Sequence, residues 1–124
     1  MEGYLQAVKA LSDETRLRIL NLILDRECCV CEVMQALDIS QTRASRNLRI
    51  LENAGFLESR RDGIWIYYRL TDKPGDPIIL SLIKSATEFT KTSLIFKNDR
   101  TQLSKSSRYN DVCSPKKNPR KQGK

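Results

Sequence analysis

The chain has 124 residues, 40% of them hydrophobic, enough for one modest core and therefore for a single domain of ordinary size. Its net charge of +7 is concentrated at one end: residues 97–124 hold nine Lys/Arg against Asp99 and Asp111, while the first 96 residues balance thirteen basic against thirteen acidic side chains. The opening residues lack the basic-then-apolar pattern of a signal peptide and no apolar run approaches the roughly 18 residues of a membrane span, so a cytoplasmic location without a membrane partner is expected. There is no histidine, which removes the commonest borderline-metal ligand. In a reducing cytoplasm the four cysteines are expected to be metal ligands or reactive thiols before they are structural disulfides.

In chain order, "EGYLQAVKALSD" places Tyr4, Leu5, Val8 and Leu11 at helical spacing, and Ser12 or Asp13 can cap a second helix. That helix, "ETRLRILNLIL", repeats Leu17, Leu20, Ile23 and Leu24 on one face and should floor the core. Cys28, Cys29 and Cys31 follow. Next "EVMQALDIS" gives a short helix with Val33, Met34 and Leu37, and Asp38 to Ser40 turn the chain before a helix beginning at Gln41. Two short helices joined by a tight turn outline a helix-turn-helix. In the second of them Ala44, Leu48 and Leu51 share one stripe, and Thr42, Ser45, Arg46, Arg49 and Asn53 share the opposite one. Ala54-Gly55 stops the helix, since glycine readily takes a left-handed conformation.

The segment "FLESRRDGIWIYYRL" predicts a β-hairpin about a two-residue Asp62-Gly63 turn. A hairpin directly after a recognition-type helix is the wing of a winged helix. Trp65, Tyr67 and Tyr68 alternate in its return strand and are expected to pack rather than to stack on bases. After Pro74, Gly75 and Pro77, "IILSLIKSATEFTKTSLIF" predicts one long amphipathic helix with Ile79, Leu82, Ile83, Ala86, Phe89 and Leu94 on its apolar side. That is more apolar surface than a small core covers, and pairing with a second copy is the simplest remedy. The expected fold is therefore mainly α with a small β-hairpin, a winged helix-turn-helix forming a homodimer. Residues 1–96 would make the DNA-binding and dimerisation domain, and residues 97–124 a basic, disordered tail.

Residues 41–69 carry six arginines against Glu52, Glu58 and Asp62. Gln41, Thr42, Ser45 and Arg46 have the donors and acceptors to read base edges in the major groove, whereas Arg43, Arg49, Arg60 and Arg61 suit phosphates or, in the wing, the minor groove. An Arg-rich helix face alone would be an ordinary solvated surface; between a helix-turn-helix and a wing it predicts binding to double-stranded DNA. No Ser/His/Asp arrangement, Gly-rich phosphate loop or paired carboxylates suggests catalysis, so no enzyme is expected.

The stretches "ALSDETRLRIL", "ECCVCEV" and "ISQTRASRNLRILENAGFLESRRDGIWIYYRL", in this order and spacing over about two thirds of the chain, resemble the ArsR/SmtB-type metalloregulatory repressors. The resemblance implies a winged-helix homodimer on an inverted-repeat operator, released when a metal or metalloid binds. It implies no cofactor for DNA binding itself. In the arsenic- and antimony-responsive branch, as in the cadmium- and lead-responsive one, a Cys-Val-Cys pair opens the first helix of the helix-turn-helix, and here it falls on Cys29-Val30-Cys31; membership of the first branch implies trivalent arsenite or antimonite as inducer. Two departures stand out: Ser45-Arg46-Asn47 replaces the usual Ser-Arg-His, and Met34 occupies the place of a third cysteine found in some arsenic-responsive members.

Trivalent arsenic or antimony favours three sulfur ligands in a pyramid, by the softness that governs thiolate selection generally. On a regular helix Cys28 and Cys31 are neighbours while Cys29 and Cys31 point to nearly opposite sides, so using all three predicts a distorted helix start in competition with an intact helix-turn-helix. For the third sulfur Cys28 competes with Cys113, and proximity favours Cys28 because Cys113 would close a loop of about 80 residues. A cadmium- or lead-responsive repressor of the same family and a thiol redox sensor using the C-x-x-C formed by Cys28 and Cys31 are the alternatives. The plainest alternative is that the cysteines are small apolar core residues.

Overall fold

The structure is a computed structural model that describes residues 1–106. Six helices and three strands follow one another as α1 (Glu2–Leu11), α2 (Glu14–Ile23), β1 (Cys28–Cys29), α3 (Val30–Leu37), α4 (Gln41–Asn53), β2 (Leu57–Asp62), β3 (Trp65–Leu70), α5 (Pro77–Thr90) and α6 (Leu94–Ser104). Local chemistry sets most of these boundaries. The Asp13 side chain accepts from Arg16 N at the start of α2, and Ser40 does the same for Arg43 N at the start of α4. Asp38 closes α3 in the left-handed conformation (φ 55), and Gly55 leaves α4 at φ 98.

The core is built where α2, α3, α4 and the hairpin meet. Ile19, Leu20, Val33, Leu48, Leu51 and Phe56 are fully buried there, each apolar side chain contributing about 1.5–3 kcal/mol by leaving water. The Ala44, Leu48 and Leu51 stripe of α4 faces inward as its spacing predicts. On α1 the apolar side chains at helical spacing do not all face the core: Ala7 and Ala10 are buried, and Tyr4, Leu5 and Val8 are exposed.

Three further expectations are corrected. The hairpin turn is one residue later than read: Asp62 pairs with Trp65, so Gly63-Ile64 form the two-residue loop, with Gly63 at φ 65. The sheet has a third strand, in the order β1-β3-β2, with Cys28 opposite Tyr68 and Cys29 opposite Tyr67. The long last helix is two helices. Thr90 and Thr92 turn their hydroxyls onto the carbonyls of Thr87 and Phe89 (3.1 and 2.7 Å), hydrogen bonds that compete with helix continuation, and Ser93 starts α6.

Residues 97–104, expected to belong to a tail, are instead the body of α6, which packs against α2 and α3. Phe96, Asp99 and Leu103 are its buried face. Arg18 Nε and Nη2 donate to the Asp99 carboxylate at 2.8 and 2.9 Å, Asn21 Nδ2 donates to Phe96 O, and Arg100 Nη1 donates to Asn21 Oδ1 at 2.6 Å. Composition alone hid this because the helix is polar except on one narrow stripe. The rest of the expected tail, residues 107–124, lies outside the described residues, and Cys113 with it.

Candidate metal centre and nucleic-acid interface

The three clustered cysteines divide between two environments. Cys28 and Cys29 are consecutive residues of β1, and consecutive strand residues point to opposite faces. The Cys28 side chain enters the main core, where it lies 3.8 Å from the carbonyl oxygens of Leu22 and Arg26. Cys29 turns the other way, into a small cluster with Cys31 and Tyr67 bordered by Met34 and Trp65. The sulfurs of Cys29 and Cys31 are 3.7 Å apart. This reverses the pairing expected for a regular helix, because Cys29 is extended (φ −89, ψ 164) and stands at the N-cap of α3 rather than inside it. The two side chains therefore converge without unwinding the helix. Among the described residues no group of three His, Cys, Asp or Glu side chains is placed to hold a metal ion.

Glu32 organises this helix start, a role the sequence reading missed. Its Oε1 accepts from Cys29 N at 2.9 Å and its Oε2 meets the Arg26 guanidinium, although the carboxylate is buried. This is a capping box in which Cys29 stands where Ser or Thr usually does, and the Cys-x-x-Glu spacing was the available signal. Burial pushes the Cys29 thiol above its ordinary range, and the Glu32 carboxylate adds to the rise; backbone N–H groups of Glu32 and Cys31 offset part of it. Gln35 Nε2 lies 3.5 Å from the Cys31 sulfur. Soft donors at this spacing fit a thiophilic ion better than a hard one.

The DNA-facing candidates lie on α4 and the wing. Gln41, Thr42, Arg43, Arg46 and Arg49 are exposed along one side of α4, and Ser45 is half-buried beside them. Among the described residues Arg46, Arg49 and Arg61 enter no side-chain ion pair. Arg43 Nη2 donates to Thr15 Oγ1 at 2.9 Å, which leans it toward α2. Asn47 is buried, accepts from Arg16 Nη1 at 3.0 Å and donates to Arg43 O, so it ties α4 to α2 rather than reaching outward. Arg60 and Arg61 are exposed on β2, but only Arg61 is uncommitted in this way: Arg60 donates two 2.8 Å hydrogen bonds to the Glu27 carboxylate, which raise its pKa. No helix is long and apolar enough to cross a membrane among the described residues.

Comparison with known proteins places these features. The model of the family described as "Bacterial regulatory protein, arsR family" matches residues 13–59, from the cap of α2 into β2. The arsenic resistance transcriptional regulator ArsR1 of Pseudomonas putida is 51% identical over 63 residues, covering 50% of this chain and 49% of that protein. A cadmium resistance transcriptional regulatory protein, a CadC homolog of Staphylococcus aureus, is 42% identical over 66 residues, 52% and 54% of the two chains. The arsenical resistance operon repressor of Bacillus subtilis is 35% identical over 74 residues, 59% of this chain and 70% of that one. The chain spans about half the length of the first two relatives. Among solved structures, reduced HlyU from Vibrio cholerae aligns with a TM-score of 0.60 at 26% identity, covering 71% of this chain and 88% of that one. A homodimeric winged helix-turn-helix DNA-binding domain from Mycobacterium bovis, a possible ArsR-family regulator, aligns with a TM-score of 0.60 at 29% identity, covering 75% and 82%. These are regulators of transcription and not enzymes. With a winged helix-turn-helix fold, a family model over its two central helices and relatives of this likeness, the chain belongs to the arsR family of bacterial regulatory proteins.

Proposed function

We propose that the protein is a homodimeric repressor that binds an inverted-repeat operator and releases it when trivalent arsenic or antimony binds the Cys29 and Cys31 thiolates. The observation that carries this reading is the 3.7 Å approach of the two sulfurs at the first turn of the helix-turn-helix. A bound ion there acts directly on the element that positions α4. The exposed side chains Tyr4, Leu5 and Val8 of α1 and Leu80 and Phe89 of α5 supply apolar surface for a second copy. A two-fold axis between copies then presents two α4 helices to two half-sites.

In the reduced protein, with arsenite as the neutral trihydroxide, each thiol proton leaves with one hydroxide as water and one arsenic–sulfur bond replaces one arsenic–oxygen bond, with no change of oxidation state. A pyramidal site needs a third sulfur. Cys28 points into the core, so its recruitment would require turning β1 over. Cys113 is the better candidate, against the preference drawn from sequence proximity. Because α6 is anchored to α2 and packs on α3, the chain is held as far as Ser106, seven positions before Cys113 in sequence.

The test is a fluorescence-anisotropy titration of operator DNA with reduced protein, with and without arsenite. Wild type should lose affinity on arsenite addition, Cys29→Ser and Cys31→Ser should bind operator and ignore arsenite, and truncation after Ser106 should lose one of three sulfurs in X-ray absorption. Arsenite release by either serine variant at the wild-type concentration would refute the pair. A cadmium- or lead-responsive repressor is the second reading, favoured by the likeness to the cadmium resistance regulator; the same titration with cadmium decides it.

A further inference from the structure

Cys29, Tyr67 and Arg60 stand in one row across the sheet, Cys29 opposite Tyr67 on β3 and Tyr67 opposite Arg60 on β2. Directly opposed residues of an antiparallel sheet project from the same face. The Tyr67 ring is accordingly buried in the cluster with the Cys29 and Cys31 sulfurs, and the Arg60 guanidinium lies 4.4 Å above the centroid of that ring. Arg60 also grips both oxygens of Glu27 at 2.8 Å, and Glu27 immediately precedes β1. The circuit closes: sulfur pair, tyrosine ring, wing arginine, glutamate, and back to the strand that carries Cys29.

We propose that Glu27, Arg60 and Tyr67 are the link by which occupancy of the sulfur pair moves the wing, and that Arg60 is a positioning residue within the protein rather than a contact to DNA phosphate. The link rests on the functional reading above and adds the route by which that site reaches the DNA-binding surface. Tyr67 is 6% exposed and packs in one cluster with Cys29 and Cys31, so in this link an ion seated on the sulfurs lies against the ring and displaces it. A shifted ring takes away the face on which Arg60 stacks. Arg60 then follows Glu27 or the ring but not both, and β2, which carries Arg61 one residue on, changes its angle to α4. Charge is not needed for this, because in the reduced protein exchange of thiol protons for arsenic leaves the site neutral. Coupling of this kind is reciprocal, so operator binding weakens arsenite binding by the same factor.

The experiment uses reduced full-length wild type, Glu27→Gln and Tyr67→Leu. Three quantities are read: operator affinity without arsenite, operator affinity at saturating arsenite, and arsenite binding itself through the fluorescence of Trp65, the single tryptophan, which borders the sulfur cluster. Glu27→Gln should leave arsenite-free operator affinity and the Trp65 response within about threefold of wild type while lowering the arsenite-induced loss of operator affinity about fivefold or more. Tyr67→Leu should lower the arsenite-induced loss of operator affinity more strongly. Because Glu27 lies outside the core, its variant decides the matter even if Tyr67→Leu does not fold. Glu27→Gln releasing operator over the same arsenite range and by the same factor as wild type would overturn the link. A wild-type protein that binds arsenite and keeps its operator affinity would overturn the functional reading, and the link with it.

Discussion

Replacing Glu32 tests whether the helix that presents the sulfur pair is held by hydrogen-bond geometry or by charge. In Glu32→Ala the buried Cys29 N–H loses its 2.9 Å acceptor, and leaving such a group unsatisfied costs about 1–3 kcal/mol. Loss of a helix cap measured elsewhere costs about 1 kcal/mol, and the two descriptions cover the same bond, so the expected loss is about 2 kcal/mol. Glu32→Gln keeps an oxygen at the Oε1 position and removes the ion pair with Arg26, whose side chain is 40% exposed and therefore well screened. Its cost should stay below about 1 kcal/mol. Urea unfolding at fixed protomer concentration measures both, with midpoints expected to fall by about 1 M for alanine and by less than about 0.5 M for glutamine. The glutamine variant also removes the carboxylate that helps hold the Cys29 thiol up, so alkylation of Cys29 at pH 8, followed by mass spectrometry, should be faster than in wild type. A glutamine variant as unstable as the alanine variant, or one in which Cys29 reacts no faster, would refute the account of this helix start.

Three other outcomes are expected. Arg46→Ala should weaken operator binding and relax its sequence preference, whereas Arg61→Ala should weaken binding to all sequences and lower the salt slope by about one; equal loss of unrelated competitor DNA from both would contradict the division between helix and wing. Leu80→Glu together with Val8→Glu should shift the protein from dimer to monomer in light scattering, and an unchanged dimer would remove α1 and α5 from the interface. The Cys29 pKa lies above its ordinary 9.0 in the folded chain, so its contribution to stability is full below that value and is lost as pH rises past it. Below that range arsenite affinity should be nearly flat with pH, because the exchange yields water. Cadmium affinity should climb about tenfold per unit for each thiol proton released, and identical pH profiles for the two would show that the thiols are not the ligands.

The order of the first four helices, a cap at Ser12 or Asp13, the stop at Gly55 and the polar stripe of α4 were legible in the sequence, because each depends on residues within one or two turns of itself. Their periodicity is enough to name a winged helix-turn-helix before any contact is known. The partition of the cysteines was not legible in this way. A two-residue strand carries no periodicity, and β1 exists only because Tyr67 and Tyr68, some 40 residues away, supply its hydrogen-bonding partner. That pairing makes Cys29 extended, brings its sulfur to Cys31 and turns Cys28 into the core. Arg60 and Arg61 likewise read alike in sequence, as adjacent wing arginines, and only the cross-strand register separates the one bound to Glu27 and Tyr67 from the one facing solvent. Helix α6 was hidden for the same reason. Its composition is that of a tail, and what orders it is Arg18, 81 residues from Asp99 along the chain and 2.8 Å from it in the fold.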